Sequence, residues 1–388
     1  MPNQLTDELT RQKLPDHNQT IFVTGIAGFI GARVAEMLLE QRYNVVGVDN
    51  LNDYYDVRLK FYRLAKLFGG EELFRENFDS NSSKSKNEIY KINDWLNILP
   101  KGTAIIQESN QLIISNKNKS LTFYMGDIES SEYVNRICVR HKPEAIINLA
   151  ARAGVRASIE DPHIYLSTNT IGCLNLLEAA RKYKIKKLVL ASTSSLYAGH
   201  PMPFHEDLSV NNPMSPYAAS KKGAEAMCYT YYHLYKISIT ILRYFTVYGP
   251  AGRPDMSILR FIKCIYEENP LTIYGDGNQS RDFTFIDDIA RGTTLSLGIE
   301  NFETINLGGG KEVVTLKEVI NQIQEKTKKV AKVNYEEFKK SDIMHTLANN
   351  DLAKSILGWN PSSNINEGIC HTIEWFNTNK NWLTKIKH

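Results

Sequence analysis

Long apolar runs are missing from this 388-residue chain: none approaches the ~20 residues a membrane-spanning helix needs, so no membrane role is expected. Cysteine is scarce as well. The five cysteines, at 138, 173, 228, 264 and 370, are odd in number and scattered, and no pair has metal-ligand spacing. That excludes a disulfide framework and a metal centre, and reads as reduced thiols in the cytoplasm. Excess charge of one sign is also lacking: a net +3 at this size gives no reason to expect nucleic acid or an anionic membrane as partner. Residues 1–19 have no apolar stretch and mix both signs, so they read as a flexible tail and not as a signal peptide. What remains is an ordinary globular composition, 42% hydrophobic and 23% charged, with enough chain for two or three domains around a large core.

The strongest local signal follows the tail. Thr20-Ile-Phe-Val-Thr24 reads as a buried strand that runs into Gly25-Ile-Ala27-Gly28-Phe29-Ile30-Gly31. A helix with Val34, Met37 and Leu38 on its apolar side comes next, then a strand, Asn44-Val-Val-Gly-Val-Asp49. In such a βαβ unit the glycines let backbone amides approach a pyrophosphate at a helix N-terminus. Asp49, 24 residues after Gly25, is placed to accept hydrogen bonds from a ribose diol and would repel a 2′-phosphate. The expected cofactor is NAD and not NADP.

The character changes from Gly69 to Ser120, which is rich in Asn, Ser, Lys and Glu; the segment reads as a surface insertion, with a hairpin expected from Thr103–Gln107 and Gln111–Ser115. Alternation of short apolar strands and helices resumes at Leu121 and continues through Ala145–Leu149, a helix from Tyr165 to Tyr183, Lys187–Ala191 and Ser238–Arg243. This rhythm predicts an α/β fold, a doubly wound parallel sheet (Rossmann) over residues 20–243 with its ligand at the carboxyl ends of the strands. Asp127, Asn148, Ala150, Thr193 and Tyr197 fall at such ends, and Asn169 is a candidate cofactor contact. Elements after Tyr244 are shorter and mixed, which predicts a smaller mixed α/β C-terminal substrate lobe over 244–388, with some segments returning to the first domain.

Between two of these strands lies the stretch with chemistry in it. Strand Lys187–Ala191 passes into Ser192-Thr193-Ser194-Ser195, and a Pro-rich loop leads to Tyr217-Ala-Ala-Ser-Lys221. Tyr217 and Lys221, four apart, share a helix face and can serve one point in space. A phenol of pKa about 10 is a poor base at neutral pH; lowering it by roughly three units corresponds to about 4 kcal/mol, which two nearby cations, Lys221 and a nicotinamide ring, are expected to supply.

Three motifs, Thr24-Gly-Ile-Ala-Gly-Phe-Ile-Gly31, Tyr217-x-x-x-Lys221 and Arg281-Asp-Phe-Thr-Phe-Ile-Asp-Asp288, resemble those of the extended short-chain dehydrogenase/reductase family, in its nucleotide-sugar epimerases and dehydratases, over residues 20 to about 376 apart from the insertion. The resemblance implies NAD in the first domain, touched by Asn50, Asp127, Ile128 and Tyr244 besides the glycine loop, and a UDP-sugar under the second. It implies Thr193, Tyr217 and Lys221 as catalytic residues, Arg281 at the diphosphate, Thr246 at the substrate, and a homodimer through a four-helix bundle. Dehydratases of the family carry Asp-Glu after the catalytic Thr, and uronate decarboxylases a Glu where Ser195 stands. With Thr193-Ser194-Ser195 in those places, 4-epimerisation is the expected reaction. Asn50-Leu-Asn-Asp-Tyr-Tyr-Asp56 and Gly252-Arg-Pro-Asp-Met256 resemble the branch acting on UDP-glucuronate, which implies that Arg253 grips the sugar carboxylate. A neutral UDP-hexose or UDP-N-acetylhexosamine is the alternative substrate; decarboxylation or a silent NAD-binding relative are the remaining readings.

Overall fold

The computed structural model describes residues 18–80, 92–108, 111–310, 313–338 and 343–386. The expected tail lies outside them apart from Asn18 and Gln19, as does the turn of the expected hairpin. The strands are β1 (Thr20–Thr24), β2 (Asn44–Asp49), β3 (Ala104–Glu108), β4 (Gln111–Asn116), β5 (Leu121–Met125), β6 (Ala145–Asn148), β7 (Lys187–Thr193), β8 (Ser238–Tyr244), β9 (Thr246–Tyr248), β10 (Leu271–Tyr274), β11 (Ser280–Arg281), β12 (Phe283–Phe285), β13 (Phe302–Leu307), β14 (Val314–Thr315) and β15 (Val333–Glu336).

Nine of them form one sheet in the order β13-β8-β7-β6-β1-β2-β5-β4-β3. The seven from β13 to β5 run parallel. Such strands are covered on both faces, which is why their sequences are near-continuous apolar runs. Alternate side chains feed alternate cores: Ile21 and Val23 join the apolar cluster on one face, Phe22 that on the other. One cluster is closed by helices Phe29–Glu40, Arg58–Phe68 and Ile365–Leu383, the other by Ser131–His141, Gly172–Tyr183 and Pro216–Tyr235. The strand order reverses between β1 and β6, and that switch point opens the crevice where α/β sheets bind ligands.

The segment 69–120 is more deeply built in than a surface insertion. Its β4 pairs antiparallel with β5 and its β3 with β4, so the expected hairpin lengthens the main sheet by two strands. Trp95 is fully buried and stacks on Phe61 at 5.2 Å, and Phe74 packs edge-on against Trp382 at 5.4 Å. Its aromatic residues are few, but they close the core between the second helix and the C-terminal one.

The expected helix from Tyr165 to Tyr183 is interrupted. Residues Leu166–Ile171 form a π-helical turn between Pro162–Tyr165 and Gly172–Tyr183, the kind of local widening that redirects side chains.

Two segments beyond Tyr244 pack on elements that precede it. β13 adds to the sheet beside β8, and helix Ile286–Leu295 packs on helix Phe29–Glu40, where Arg33 Nε donates to Asp287 at 2.7 Å. Among the described residues the strands β9–β12, β10–β15 and β11–β14 pair as three separate two-stranded ribbons.

Candidate active site

At the switch point the glycine loop packs against the end of β6. Gly25 adopts φ +68°, and a β-carbon on it would stand 2.8 Å from the Ala150 nitrogen. A β-carbon on Gly31 would lie 2.1 Å from the Gly25 carbonyl oxygen, so helix Phe29–Glu40 starts directly against the turn. Gly28 caps that helix without a side chain. The amides of its first turn therefore have no side-chain acceptor and suit a pyrophosphate.

The far edge of the crevice is set by Asp49. Its Oδ1 accepts from the Leu51 amide at 2.9 Å with Lys60 Nζ at 3.6 Å, and its Oδ2 accepts from the Ala27 amide at 3.2 Å. A carboxylate has about four acceptor sites, so Asp49 keeps capacity for a ribose diol. Asn50 Nδ2 donates to Asp127 Oδ2 at 2.7 Å, tying the ends of β2 and β5 together. The donor and acceptor set thus fits NAD.

One cleft of about 450 Å³ gathers Gly25, Gly28, Phe29, Ile30, Gly31, Asp49, Asn50, Asp127, Ile128, Ala150, Thr193, Ser194, Ser195, Tyr217, Lys221, Tyr244, Thr246, Arg253 and Arg281. A larger depression of about 1310 Å³ shares only Phe29 with these candidates; its charges pair with one another, as in Arg33 with Asp287 and Lys66 with Glu36.

Two candidates stand elsewhere. The Ala27 amide is bonded to Asp49 behind the wall. Asn169, turned by the π-helical segment, accepts from the Arg152 amide at 2.8 Å and donates to the Arg152 carbonyl and to Ser220 Oγ, both at 2.9 Å. It braces the loop after β6, and its neighbour Thr168 lines the cleft instead. Asn52, Tyr54, Tyr55, Lys60 and Asp255 line the cleft without having been singled out from the sequence. The paired tyrosines sat in the Asn50–Asp56 stretch and could have been found there; Lys60 lies in an ordinary amphipathic helix and carried no signal.

The candidate reacting groups come from two elements. β7 ends at Thr193, whose Oγ1 accepts from the Ser195 amide and donates to Ser195 Oγ, both at 3.1 Å. Ser215 caps helix Pro216–Tyr235 and Pro216 occupies its first position, so Tyr217 and Lys221 lie in its first turns on one face. Lys221 Nζ is buried and donates to the Ala191 carbonyl at 2.9 Å. Beneath them Glu225 takes a bidentate pair from Arg243, Nε at 3.0 Å and Nη2 at 2.8 Å, and a hydrogen bond from Ser192 at 2.6 Å.

Burial disfavours charge throughout this site. It brings Lys221 down to about 8, against the opposing pull of Cys173, Glu225 and Cys228. It pushes the Tyr217 phenol up, while a hydrogen bond with Thr193 and the Arg253 guanidinium act the other way. The sequence predicts a depressed phenol; in the protein alone its direction is upward, because burial outweighs the downward pull of Thr193 and Arg253. Burial likewise raises Tyr244, whose hydroxyl is bonded to Thr293 Oγ1 at 2.8 Å, so its ring and not its oxygen serves the cleft.

Among known proteins, a model of the family described as GDP-mannose 4,6 dehydratase matches residues 100–372, and one described as NAD dependent epimerase/dehydratase family matches 21–86. The chain is 47% identical over 365 residues to a UDP-glucuronate 4-epimerase of Thermodesulfobacterium geofontis (strain OPF15), covering 94% of this chain and 98% of the relative. It is 35% identical over 378 residues to a probable UDP-glucuronate 4-epimerase of Rhizobium meliloti (strain 1021), covering 92% and 96%. A crystal structure of UDP-glucuronic acid 4-epimerase from Bacillus cereus in complex with UDP-glucuronic acid and NAD superposes with a TM-score of 0.75 at 30% identity, covering 92% of this chain and 99% of that one. With a Rossmann sheet, an NAD-shaped crevice and Thr193, Tyr217 and Lys221 gathered at its edge, the chain belongs to the extended short-chain dehydrogenase/reductase family, among its NAD-dependent nucleotide-sugar epimerases.

Proposed function

We propose that this chain interconverts UDP-glucuronate and UDP-galacturonate by inverting C4 of the sugar. The observation that carries the reading is Arg253: a guanidinium in the same cleft as Thr193, Ser194, Ser195 and Tyr217, where a neutral hexose offers it no charge to meet. Charge-assisted bonds from a guanidinium to a carboxylate are worth about 1.5–3 kcal/mol each. The identity to UDP-glucuronate 4-epimerases supports the same substrate.

Tyr217, as phenolate, removes the proton of the 4-hydroxyl, and Thr193 holds that oxygen by a hydrogen bond. Lys221 keeps a positive charge one helical turn away. NAD, when bound, would supply the reversible hydride chemistry at C4 that lets the 4-keto sugar be reduced on its other face, and its oxidised ring would add a positive charge against the upward push on Tyr217. The first turn of helix Phe29–Glu40 would hold the cofactor, with Asp49 and Asn50 at the ribose and Asp127 and Ile128 at the adenine. Arg281 anchors the diphosphate, about which the sugar turns between the two half-reactions. The 4-keto uronate is a β-keto acid that loses carbon dioxide when its C5–C6 bond stands perpendicular to the carbonyl plane. Arg253, Ser194 and Ser195 keep the carboxylate from that geometry. No acid follows Thr193 to drive elimination.

We further infer a homodimer built on the helices that begin near Tyr165 and Tyr217. They leave Leu166, Ile171, Tyr229 and Leu234 about half exposed, an apolar face suited to a four-helix bundle. No helix among the described residues is long and apolar enough to cross a membrane, and the five free thiols suit the cytoplasm.

The test of the substrate is Arg253→Ala assayed with two sugars. Turnover of UDP-glucuronate should fall by about a hundredfold or more, in line with two lost charge-assisted bonds, and any residual activity on UDP-glucose should be unaffected. Equal loss on both sugars would remove the carboxylate role.

A further inference from the structure

Asp255 takes no part in the chemistry above, yet it holds the residue on which substrate choice depends. Its carboxylate grips Arg253 from the side, accepting from Nε at 3.0 Å and from Nη2 at 2.5 Å. The pair forms locally within Gly252-Arg-Pro-Asp-Met256, and Pro254 between them fixes the backbone angle that sets their separation. The guanidinium is also backed by Tyr54, with Cζ 5.4 Å from the ring centroid.

A guanidinium carries five N–H donors in one plane. Asp255 occupies the Nε–Nη2 side, and among the described residues Nη1 donates to no protein acceptor. The Arg253 side chain is 18% exposed, and Arg253 and Asp255 both line the cleft that holds Thr193, Ser195 and Tyr217. The edge left for a ligand is therefore the Nη1–Nη2 end.

We propose that Asp255 is a positioning residue that aims the Nη1–Nη2 edge of Arg253 at the carboxylate of the substrate and so decides whether the 4-keto uronate is epimerised or decarboxylated. This rests on the uronate reading. A partly exposed ion pair between neighbours adds little to stability, so what Asp255 contributes is direction: it removes freedom from a long side chain, and small misplacements near a reacting centre cost rate heavily. In the competing reaction the C5–C6 bond breaks, carbon dioxide leaves, and the bonding pair forms the C4–C5 enolate. A proton then adds at C5, giving UDP-4-keto-pentose and leaving on the cofactor the hydride taken from C4. A carboxylate held by an aimed guanidinium stays out of the perpendicular position; one held by a swinging guanidinium reaches it.

The experiment uses the full-length, NAD-loaded protein and its Asp255→Ala and Asp255→Glu variants with UDP-glucuronate. Carbon dioxide, UDP-galacturonate and cofactor absorbance at equal substrate consumption are followed, and UDP affinity is measured separately. Asp255→Ala should raise the ratio of carbon dioxide to UDP-galacturonate by about tenfold or more, the scale of a misplaced reacting group, with UDP affinity unchanged, and Asp255→Glu should restore most of the wild-type ratio. An unchanged ratio in Asp255→Ala overturns the inference, as does tighter binding of UDP-glucuronate, which would make Asp255 a competitor for Arg253. Wild-type protein that leaves UDP-glucuronate untouched would instead remove the uronate reading, whereas normal wild-type turnover with an unaltered Asp255→Ala product split removes this inference alone.

Discussion

Lys221 Nζ donates to the carbonyl of Ala191, two residues before Thr193, at 2.9 Å. One hydrogen bond thus ties the helix that carries Tyr217 to the strand that ends at Thr193. It also shapes the pH dependence. Burial leaves Lys221 at about 8, so its ammonium, present below that value, is lost as pH rises through it. Since the ammonium favours the phenolate, activity should decline on the alkaline side with a midpoint near 8, and Lys221→Arg, which stays charged, should move or abolish that limb. A kcat/KM profile flat from pH 7 to 10 would contradict this assignment.

Tyr217→Phe removes the base and little else, because the ring keeps its edge-on packing with Tyr165 at 6.1 Å. Turnover should fall by at least about a thousandfold, within the 10²–10⁴ range for a general base, with NAD affinity unchanged by calorimetry. Retained turnover would take the proton transfer away from Tyr217.

Asp49 is placed to discriminate between cofactors by charge. Asp49→Ser should weaken NAD binding by about tenfold, the cost of one bond to a charged group, and should improve NADP binding, because Lys60, now 3.6 Å from the carboxylate, would face the 2′-phosphate instead. Titration of both dinucleotides against both proteins measures this.

Glu225 and Arg243 are each 5% exposed and joined by two bonds under helix Pro216–Tyr235. Breaking one partner of a buried pair strands the other charge, at about 3–5 kcal/mol. Glu225→Gln should lower stability to chemical denaturation by that order; a change under about 1 kcal/mol would show that the pair is dispensable.

Residues 69–120 illustrate where sequence reading stops. Their hairpin was legible from two β-rich runs, but its attachment to β5 was not, since a polar, Asn-rich context looks like a loop until the sheet edge beside it is known. Trp95→Ala should cost about 3–5 kcal/mol, as for a core aromatic, and not the small loss of a surface site. Thermal denaturation decides between them.

The parallel sheet was readable because strands buried on both faces leave unmistakable apolar runs, and the glycine loop because Gly25 and Gly31 have no room for side chains. Asn169 was not readable: its side chain is redirected by a π-helical turn that no periodicity announces. Nor was the upward shift of Tyr217, which depends on how deeply the phenol is buried, a product of packing. Asp255 was visible two residues from Arg253, yet its grip on the guanidinium's side exists only in three dimensions.

The central claim is best tested by incubating the purified protein with UDP-glucuronate and following the sugar nucleotides by NMR. UDP-galacturonate should appear without added redox equivalents, as the cofactor is restored in each cycle. If UDP-glucuronate persisted unchanged while UDP-glucose was converted to UDP-galactose, the uronate assignment would be contradicted.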